Sequence, residues 1–240
     1  VRRQRQMCIR DRQDKIYCIQ ENNRGYIMEK IYETAYAKIN LGLDVLGKRS
    51  DGYHEVRMVM QSVGLSDAVE IEEGEGLVVE TDHSGLAGGP DNLAWKAAEL
   101  LARCCGKIPN VHIRLNKKIF LAAGLAGGSS DAAAVMRGLS RLWQLDLTAP
   151  ELEKLAAELG SDIPFCITGG TALAEGRGEI LTELPEAPEL LLVLAKPKLE
   201  VATGWVYGNF RQQKVNQRPD IDGIIKALEQ SATGLLLESC

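Results

Sequence analysis

Residues 124–134 read GLAGGSSDAAA and form the most informative stretch of the chain. An alternating segment, VHIRL at 111–115, precedes it, and apolar residues at helical spacing follow it as far as Trp143. Glycine lets backbone N–H groups approach a ligand closely, and the first turn of a helix attracts anions. The stretch therefore predicts a strand, a glycine loop and a helix. The loop either binds a phosphate chain or forms a tight turn with a serine N-cap.

The segments around this loop predict a mixed fold. Residues 34–45 alternate between two faces, as in a half-buried strand; Leu43 belongs to the apolar face, while Lys38 and Asn40 share the polar face about 7 Å apart. Further strands are predicted at 54–63, 67–72, 77–81, 111–115, 165–174 and 190–195, and helices at 90–105, from Ser129 or Ser130 to Trp143, and at 148–159, 203–211 and 220–230. A T-x-x-E capping box of Thr148 and Glu151 begins the helix at 148–159. Because strands and helices do not alternate regularly, the predicted fold class is α+β.

Composition excludes several classes of partner. The chain has 240 residues and a formal net charge of −5, whereas general nucleic-acid binders carry a basic excess. No apolar run approaches the roughly 18 residues that a membrane-spanning helix needs. The six cysteines are scattered without a C-x-x-C pair, which favours reduced thiols over a zinc site or a disulfide framework. We therefore expect a cytoplasmic protein that binds neither nucleic acid nor a membrane.

Residues 1–27 differ from the rest of the chain. They hold seven Lys and Arg against three Asp and Glu and show no periodic apolar face. They also lack the apolar core of a signal peptide. We expect this segment to be a non-native or disordered extension, with Met28 as the natural start.

Four blocks of sequence resemble a known enzyme family. GLAGGSSDAA resembles the phosphate-binding motif of the GHMP small-molecule kinases, which include galactose, homoserine, mevalonate and phosphomevalonate kinases. AKINLGLDVLGKRSDGYHEV, PDNLAWKAA and LGSDIPFCITGGTALAEGRGEIL resemble, in the same order, the branch that acts on 4-diphosphocytidyl-2-C-methyl-D-erythritol. The resemblance covers about residues 30–215. It implies a two-domain GHMP kinase fold: a nucleotide-binding α+β domain resembling a ribosomal-protein fold at 28–180, and a ferredoxin-like substrate-binding domain at 181–240.

The resemblance also implies a reaction. ATP would transfer its γ-phosphate to the 2-hydroxyl of this cytidyl alcohol, with Mg²⁺ assisting, in the non-mevalonate isoprenoid pathway. Asp162 matches the catalytic base of the family and Lys38 matches its catalytic lysine. A carboxylate can accept the proton of the attacking hydroxyl, and an ammonium can neutralise charge on the transferring phosphoryl group. Without the resemblance, Lys38 would be interpreted as a solvated strand lysine and Asp162 as a turn residue at a helix C-terminus.

The same resemblance implies where the cytidyl substrate binds. Tyr53 would stack on cytosine and His54 would hydrogen-bond its edge. Tyr207 falls where the family places the opposing aromatic ring, and Thr203 lies nearby. Asn40 would hold the substrate alcohol or diphosphate.

The nucleotide would bind at the glycine loop and the start of the preceding helix. Asn92 and Leu93 match positions that line the adenine pocket. The residues expected to contact the phosphates are Ala123, Gly124, Leu125, Ala126, Gly127, Gly128, Ser129 and Ser130. The two serines are candidates for phosphate or magnesium contact, or for capping the helix. The magnesium ligands are not predicted.

The chain departs from the family in three places. Phe120 replaces a proline before the loop, and Ala126 replaces a glycine within it; a methyl group there is harmless at negative φ but costs roughly 1–2 kcal/mol at positive φ. The chain also stops at LLLESC, before the glycine-rich C-terminal motif of the family, so we expect an incomplete second domain. The alternatives are another GHMP kinase, of the homoserine or mevalonate type, and an inactive nucleotide-binding fragment. The sequence does not predict an oligomeric state.

Overall fold

The computed structural model describes residues 6–10, 16–21, 27–199, 201, 203–232, 234, 236 and 239. The strands are β1 (Gln6–Arg10), β2 (Ile16–Glu21), β3 (Ile27–Lys48), β4 (His54–Glu73), β5 (Leu77–Thr81), β6 (Val111–Asn116), β7 (Thr171–Glu175) and β8 (Ile180–Glu183). The helices are α1 (Leu93–Cys104), α2 (Gly127–Leu142), α3 (Ala149–Ala156), α4 (Ile163–Thr168), α5 (Thr203–Asn209) and α6 (Ile221–Glu229), with a short 3₁₀ turn at Gln212–Lys214. The described residues therefore form a mixed arrangement of helices and strands.

All the described strands join one sheet. Its order is β1-β2-β3-β4-β6-β5, and β7 pairs with both β4 and β8. Neighbouring strands are antiparallel except β5 and β6, which are parallel. The antiparallel pair β3 and β4 is the longest, at 22 and 20 residues, and it forms the frame on which the rest of the chain packs.

The long strand β3 confirms the strand predicted at 34–45 but corrects its faces. Register shifts occur between Tyr36 and Lys38, and again between Asn40 and Gly42. Such bulges interrupt the simple alternation of a strand. Lys38 is consequently buried, with 5% of its surface exposed, whereas Leu43, predicted to face the core, is 37% exposed.

The strand β4 corrects the prediction of two separate strands at 54–63 and 67–72. It runs without a break from His54 to Glu73, passing through Gly64. Pairing with β3 on both sides of Gly64, at Ser62 and Ser66, explains this continuity, because the ladder of a long partner compensates for the weak intrinsic strand preference of glycine.

The helices α1 and α2 pack on one face of the sheet and enclose the main core. The small residues Ala132–Ala134 are fully buried, and a Cβ at Gly138 would lie 2.4 Å from Ile71 Cδ1 on β4. Small side chains therefore let α2 lie directly against the strands. The helix predicted at 90–105 is observed as α1. Helix α2 begins at Gly127, whereas its predicted start is Ser129 or Ser130.

The predicted capping box of α3 is confirmed. The side chain of Thr148 accepts from the backbone of the first turn, and Glu151 accepts from the Thr148 backbone N–H at 2.8 Å. The helix itself ends at Ala156, and a turn rather than further helix carries the chain to Leu159.

The strand predicted at 165–174 is wrong in its first half. Residues Ile163–Thr168 form the helix α4, and only Thr171–Glu175 form a strand, β7. Pro164 lies in the first turn of α4, where its missing N–H costs nothing. Gly169 and Gly170 both have positive φ and separate the helix from the strand.

The strand predicted at 190–195 is also wrong. These residues form neither helix nor strand, and Leu191 and Val193 are 100% and 91% exposed. An apolar run becomes a buried strand only where a neighbouring strand and a covering layer exist, and no described strand pairs with this run.

The C-terminal helices lie where the sequence predicts them. Helix α6 packs Ile224 and Leu228 against Val59 of β4, and a Cβ at Gly42 would lie 2.6 Å from Ile224 Cδ1. Helix α5 has no buried residue. No helix in the described part of the chain is long and apolar enough to cross a membrane.

Two segments of the predicted N-terminal extension, β1 and β2, extend the sheet beside β3. Residues 1–5, 11–15 and 22–26 lie outside the described residues. The boundaries placed after residues 27 and 180 therefore stay predictions.

Candidate active site

The structure brings Lys38 and Asp162 together. Lys38 Nζ lies 3.6 Å from Asp162 Oδ2, and it also donates a hydrogen bond to Asn40 Oδ1 at 3.2 Å. The Lys38 side chain is 7% exposed and the Asp162 side chain 35%. A buried ammonium therefore faces a carboxylate that remains open to a ligand.

Local structure explains why these two groups can meet. The register shift after Tyr36 turns Lys38 away from solvent, which excludes the solvated strand lysine. Asp162 occupies the N-cap position of α4, not the end of a helix, and its carboxylate makes no capping hydrogen bond. The carboxylate is thus free to interact with Lys38.

The glycine loop, residues 120–126, lies directly beside this pair. The backbone N–H of Lys38 donates to the carbonyl of Leu125 at 3.1 Å. Three residues of the loop have positive φ: Ala122 at 50°, Gly124 at 71° and Ala126 at 57°. Ala126 is also the N-cap residue of α2 and makes no side-chain cap. The unfavourable case for a methyl group at this position is therefore the one that occurs.

The two serines after the loop have different surroundings. Ser130 is 1% exposed, and its hydroxyl donates to the carbonyl of Tyr36 at 2.6 Å and lies 3.4 Å from Cys166 Sγ. Ser130 therefore links α2 to β3 and α4 through its hydroxyl, and its predicted contact with phosphate or magnesium stays a prediction. Ser129 is half-buried, and neither serine caps the helix.

The thiol of Cys166 lies within electrostatic range of Asp162 and Lys38. Burial raises its pKa to about 11, and the negative charge of Asp162 adds to this rise, while the Ser130 hydrogen bond opposes it. The thiol is accordingly protonated at neutral pH and packs as an uncharged group beside Ser130.

The predicted adenine-pocket residues lie next to the loop but differ in role. Asn92 is the N-cap of α1: its Oδ1 accepts from Ala94 N and its Nδ2 donates to Ala87 O, both at 2.9 Å. Leu93 Cδ1 lies 3.5 Å from the position of a Cβ on Gly128. Leu93 thus borders the glycine segment directly, whereas the side chain of Asn92 is used to begin the helix.

The aromatic residues predicted for the cytidine lie near one another but do not form an open pair of rings. His54 stacks on Tyr207 with centroids 5.2 Å apart, and Phe210 meets His54 edge-on at 6.3 Å. Tyr53 is 53% exposed, and the guanidinium of Arg177 lies 4.8 Å from its ring centroid. The ring of His54 therefore covers one face of Tyr207.

One ring of this aromatic group is influenced by the charge of Asp162. Burial and the negative charge of Asp162 raise the pKa of the Tyr207 hydroxyl, so this ring lies within electrostatic range of the carboxylate. A cavity of about 290 Å³ is lined by His54, Tyr207 and Phe210. Thr203, at the start of α5, is exposed.

Sequence reasoning missed several groups at or near the site. Arg177, in the GRGE segment, and Phe210 contact the predicted aromatic residues. Asp67 and Lys117 form a buried ionic cluster with Asp131. The arginine stood within a quoted family block, whereas no local pattern connects Asp67 with Lys117.

Two further features concern ligand binding. A larger concavity of about 1100 Å³, lined by Tyr32, Tyr36 and Arg114 among others, contains neither Lys38 nor Asp162 in its walls. Within the described ranges, no group of three or more His, Cys, Asp or Glu side chains is placed to hold a metal ion.

Comparison with known proteins identifies the family. The family GHMP kinases N terminal domain matches residues 92–170. The 4-diphosphocytidyl-2-C-methyl-D-erythritol kinase of Acetivibrio thermocellus is 47% identical over 213 residues, which are 88% of this chain and 75% of that protein.

Solved structures agree with this similarity. A crystal structure of a 4-(cytidine 5'-diphospho)-2C-methyl-D-erythritol kinase superposes with a TM-score of 0.68 at 35% identity, covering 83% of this chain and 72% of that one. A homoserine kinase from Cytophaga hutchinsonii superposes with a TM-score of 0.61 at 18% identity, covering 86% and 71%, and so shares the fold. The chain belongs to the GHMP kinases, with their mixed α/β fold, and within them to the family of the 4-diphosphocytidyl-2-C-methyl-D-erythritol kinases.

Proposed function

We propose that the protein transfers the γ-phosphate of ATP to the 2-hydroxyl of 4-diphosphocytidyl-2-C-methyl-D-erythritol. One observation carries this proposal: the carboxylate of Asp162 lies 3.6 Å from the ammonium of Lys38, and Lys38 is hydrogen-bonded through its backbone to Leu125 of the glycine loop. A base, a cation and a phosphate-binding loop thus meet at one point.

In the proposed reaction Asp162 acts as the general base. Its carboxylate accepts the proton of the 2-hydroxyl as that oxygen bonds to the γ-phosphorus. The bond from the γ-phosphorus to the bridging oxygen breaks, and ADP leaves with the electron pair. The ammonium of Lys38, which Asn40 orients through its 3.2 Å hydrogen bond, stabilises the negative charge on the transferring phosphoryl group.

The nucleotide would bind along the loop and the first turn of α2. Unpaired N–H groups at the start of α2 and the positive end of the helix dipole suit the phosphates. Ser129 is the hydroxyl left available there, because Ser130 is committed to Tyr36. Leu93, which borders Gly128, would provide apolar contact for the adenine, and Asn92 would support this pocket by capping α1.

Mg²⁺ would bind with the phosphates of ATP. Magnesium characteristically fills many of its positions with substrate phosphates and water, and among the described residues no group of three or more His, Cys, Asp or Glu side chains is placed to hold a metal ion, so the ion is assigned to the nucleotide rather than to a protein site. When bound, the ion would neutralise phosphate charge.

The cytidyl group would bind at the cluster of Tyr53, His54 and Tyr207, with Thr203 and Phe210 at its edge. Base stacking on an aromatic ring contributes about 1–3 kcal/mol. A base stacked on the covered face of Tyr207 would have to displace the ring of His54, which now lies 5.2 Å from it. Arg177, over the ring of Tyr53, adds positive charge for the diphosphate.

This aromatic cluster favours the cytidyl alcohol over the small acids of other GHMP kinases, since homoserine and mevalonate offer no ring to stack. The proposal includes a cytoplasmic location, which suits the free thiols of Cys104, Cys105 and Cys166. It also includes the two-domain division, with a ribosomal-protein-like domain before residue 181 and a ferredoxin-like domain after it. A nucleotide-binding protein without catalysis is the alternative, favoured by the absence of a fully buried residue in α5.

One assay distinguishes the proposed kinase from a kinase of another alcohol and from a nucleotide-binding protein without catalysis. ADP release is measured with ATP and Mg²⁺ and with the cytidyl alcohol, homoserine or mevalonate, alongside the Acetivibrio relative. Turnover with the cytidyl alcohol alone is expected. Turnover with another alcohol would contradict the substrate, and ATP binding without turnover of any alcohol would favour the binding-only alternative.

A further inference from the structure

A buried ionic cluster of Asp67, Lys117 and Asp131 lies against the base of the glycine loop. Lys117 Nζ contacts Asp67 Oδ2 and Asp131 Oδ2. The exposed fractions of the side chains are 0% for Asp67, 2% for Lys117 and 4% for Asp131. A Cβ on Gly127 would lie 3.7 Å from Lys117 Nζ. The ammonium is therefore directly beneath the junction between the loop and α2.

The cluster holds both ends of the loop. Asp67, on β4, accepts from the backbone N–H of Lys118 at 2.5 Å and of Ile119 at 2.8 Å through its second oxygen, Oδ1. These two residues lead into the loop. Asp131 lies in α2 shortly after the loop ends, and Lys117 joins it to Asp67. Residues 120–126 thus span two points that are fixed to each other.

The fixed ends connect to the catalytic strand. Ile119 and Leu125 pack with Ala37 of β3 in one small apolar cluster, and the Leu125 carbonyl accepts from the backbone N–H of Lys38. A shift of either end of the loop would therefore move the carbonyl that contacts the catalytic lysine.

A contribution to folding stability does not by itself explain this cluster of buried charges. Two carboxylates share one ammonium, and Asp131 Oδ1 has no hydrogen-bond partner among the described residues. Buried ion pairs are often no more stabilising than apolar side chains of the same volume, so their geometry rather than their energy is the feature to explain. The strained loop, with three positive φ values, is the neighbouring element that requires fixed ends.

We propose that Asp67, Lys117 and Asp131 are positioning residues that set the conformation of the glycine loop and thereby the affinity for ATP, without contacting the nucleotide. The conformational part stands on the contacts above, and the part that concerns ATP rests on the proposed function.

The test uses the variant Asp131→Ala in the full chain. It leaves Asp67 and Lys117 as a pair of one acid and one base, so no buried charge loses its only partner. Hydrogen exchange of the amides at 120–126, affinity for a non-hydrolysable ATP analogue, and KM for each substrate are measured. The exposed Asp146 provides the matched control, Asp146→Ala.

Exchange at 120–126 is expected to accelerate and affinity for the ATP analogue to fall about tenfold or more, since small misplacements of a binding group have large effects. KM for the cytidyl alcohol should change less than the affinity for the ATP analogue, because none of the three cluster residues is among those proposed to hold the cytidyl group. The conservative variant Asp131→Asn retains an acceptor for Lys117 and should restore both the exchange and the affinity.

Two outcomes would overturn the inference: unchanged exchange at 120–126 in Asp131→Ala, or a uniform increase throughout α2 that matches the loss of global stability. Lys117→Met, with the exposed Lys118→Met as its control, provides a second test of the same loop. If the unmodified protein binds no ATP analogue, the proposed function fails, while the exchange measurement still decides whether the cluster positions the loop.

Discussion

The two ends of the candidate site differ in how firmly the fold holds them. The phosphoryl end, formed by Lys38, Asp162 and residues 120–130, lies on the long strand β3 and the buried helix α2, with ionic and hydrogen-bond links between its parts. The proposed cytidyl end, formed by Tyr53, His54, Tyr207 and α5, has one exposed ring at Tyr53, two half-buried rings and a helix without a buried residue.

This difference corresponds to the chemistry of each end. Phosphoryl transfer depends on groups that are already placed where charge develops, because reorganising them would add to the barrier. Base stacking tolerates adjustment, since an aromatic ring offers a broad face and a loosely packed element reorders at small cost. The rigid end would determine the rate and the adaptable end the recognition of substrate.

The largest expected effect on activity is that of Asp162→Asn, which tests the phosphoryl end. The variant keeps the shape of the side chain but removes the base, so turnover should fall about 10²–10⁴-fold. Affinity for an ATP analogue should remain largely intact. ADP release and analogue titration measure the two effects, with Asp146→Asn as the control. Activity within about tenfold of the unmodified protein would show that Asp162 is not the base.

The pH dependence of the free energy of unfolding tests the buried cluster beside the phosphoryl end. Burial raises the pKa of Asp131 to about 7 from its usual 3.8, despite the attraction of Lys117. Between these values the folded state binds the proton more strongly than the unfolded state, so this group's contribution to stability decreases as pH rises from about 4 to about 7, by a few kcal/mol in order of magnitude.

Urea unfolding at several pH values tests this prediction. The difference in unfolding free energy between the unmodified protein and Asp131→Asn isolates the contribution of this carboxyl, because other titrating groups are common to both. The variant should gain relative stability as pH rises. A difference that stays constant from pH 4 to 8 would contradict the raised pKa.

The adaptable end is tested by Tyr53→Ala. Loss of a stacking ring should raise KM for the cytidyl alcohol by an amount that corresponds to about 1–3 kcal/mol, while KM for ATP stays unchanged. Tyr32→Ala removes a comparably exposed tyrosine from β3 and serves as the control. An unchanged KM for the cytidyl alcohol would argue against stacking on Tyr53.

The smallest expected effect concerns strain in the loop. Ala126 has a φ of 57°, and glycine adopts this conformation without the penalty for a Cβ. Ala126→Gly should therefore raise the free energy of unfolding by about 1 kcal/mol. Ala123→Gly, at a residue without a positive φ, should be neutral or destabilising. A loss of stability in Ala126→Gly would show that the loop is not strained there.

Local patterns predicted most individual elements. The alternation at 34–45 predicted part of β3, and the T-x-x-E pattern predicted the start of α3, because both depend on neighbours within a few residues. The apolar run at 190–195 misled, since periodicity describes a strand but not whether a partner exists to pair with it. At the site, the family blocks indicated Lys38 and Asp162, while nothing local separated Ser130, committed to Tyr36, from Ser129.

The sequence by itself determined the family, the glycine loop and most of the helices and strands, because these depend on residue types at short spacing. Only the tertiary structure decided that Lys38 is buried by a bulge, that His54 covers Tyr207, and that Asp67, Lys117 and Asp131 share one buried site. Those contacts join residues far apart along the chain, and their geometry arises from packing among strands and helices rather than from any local pattern.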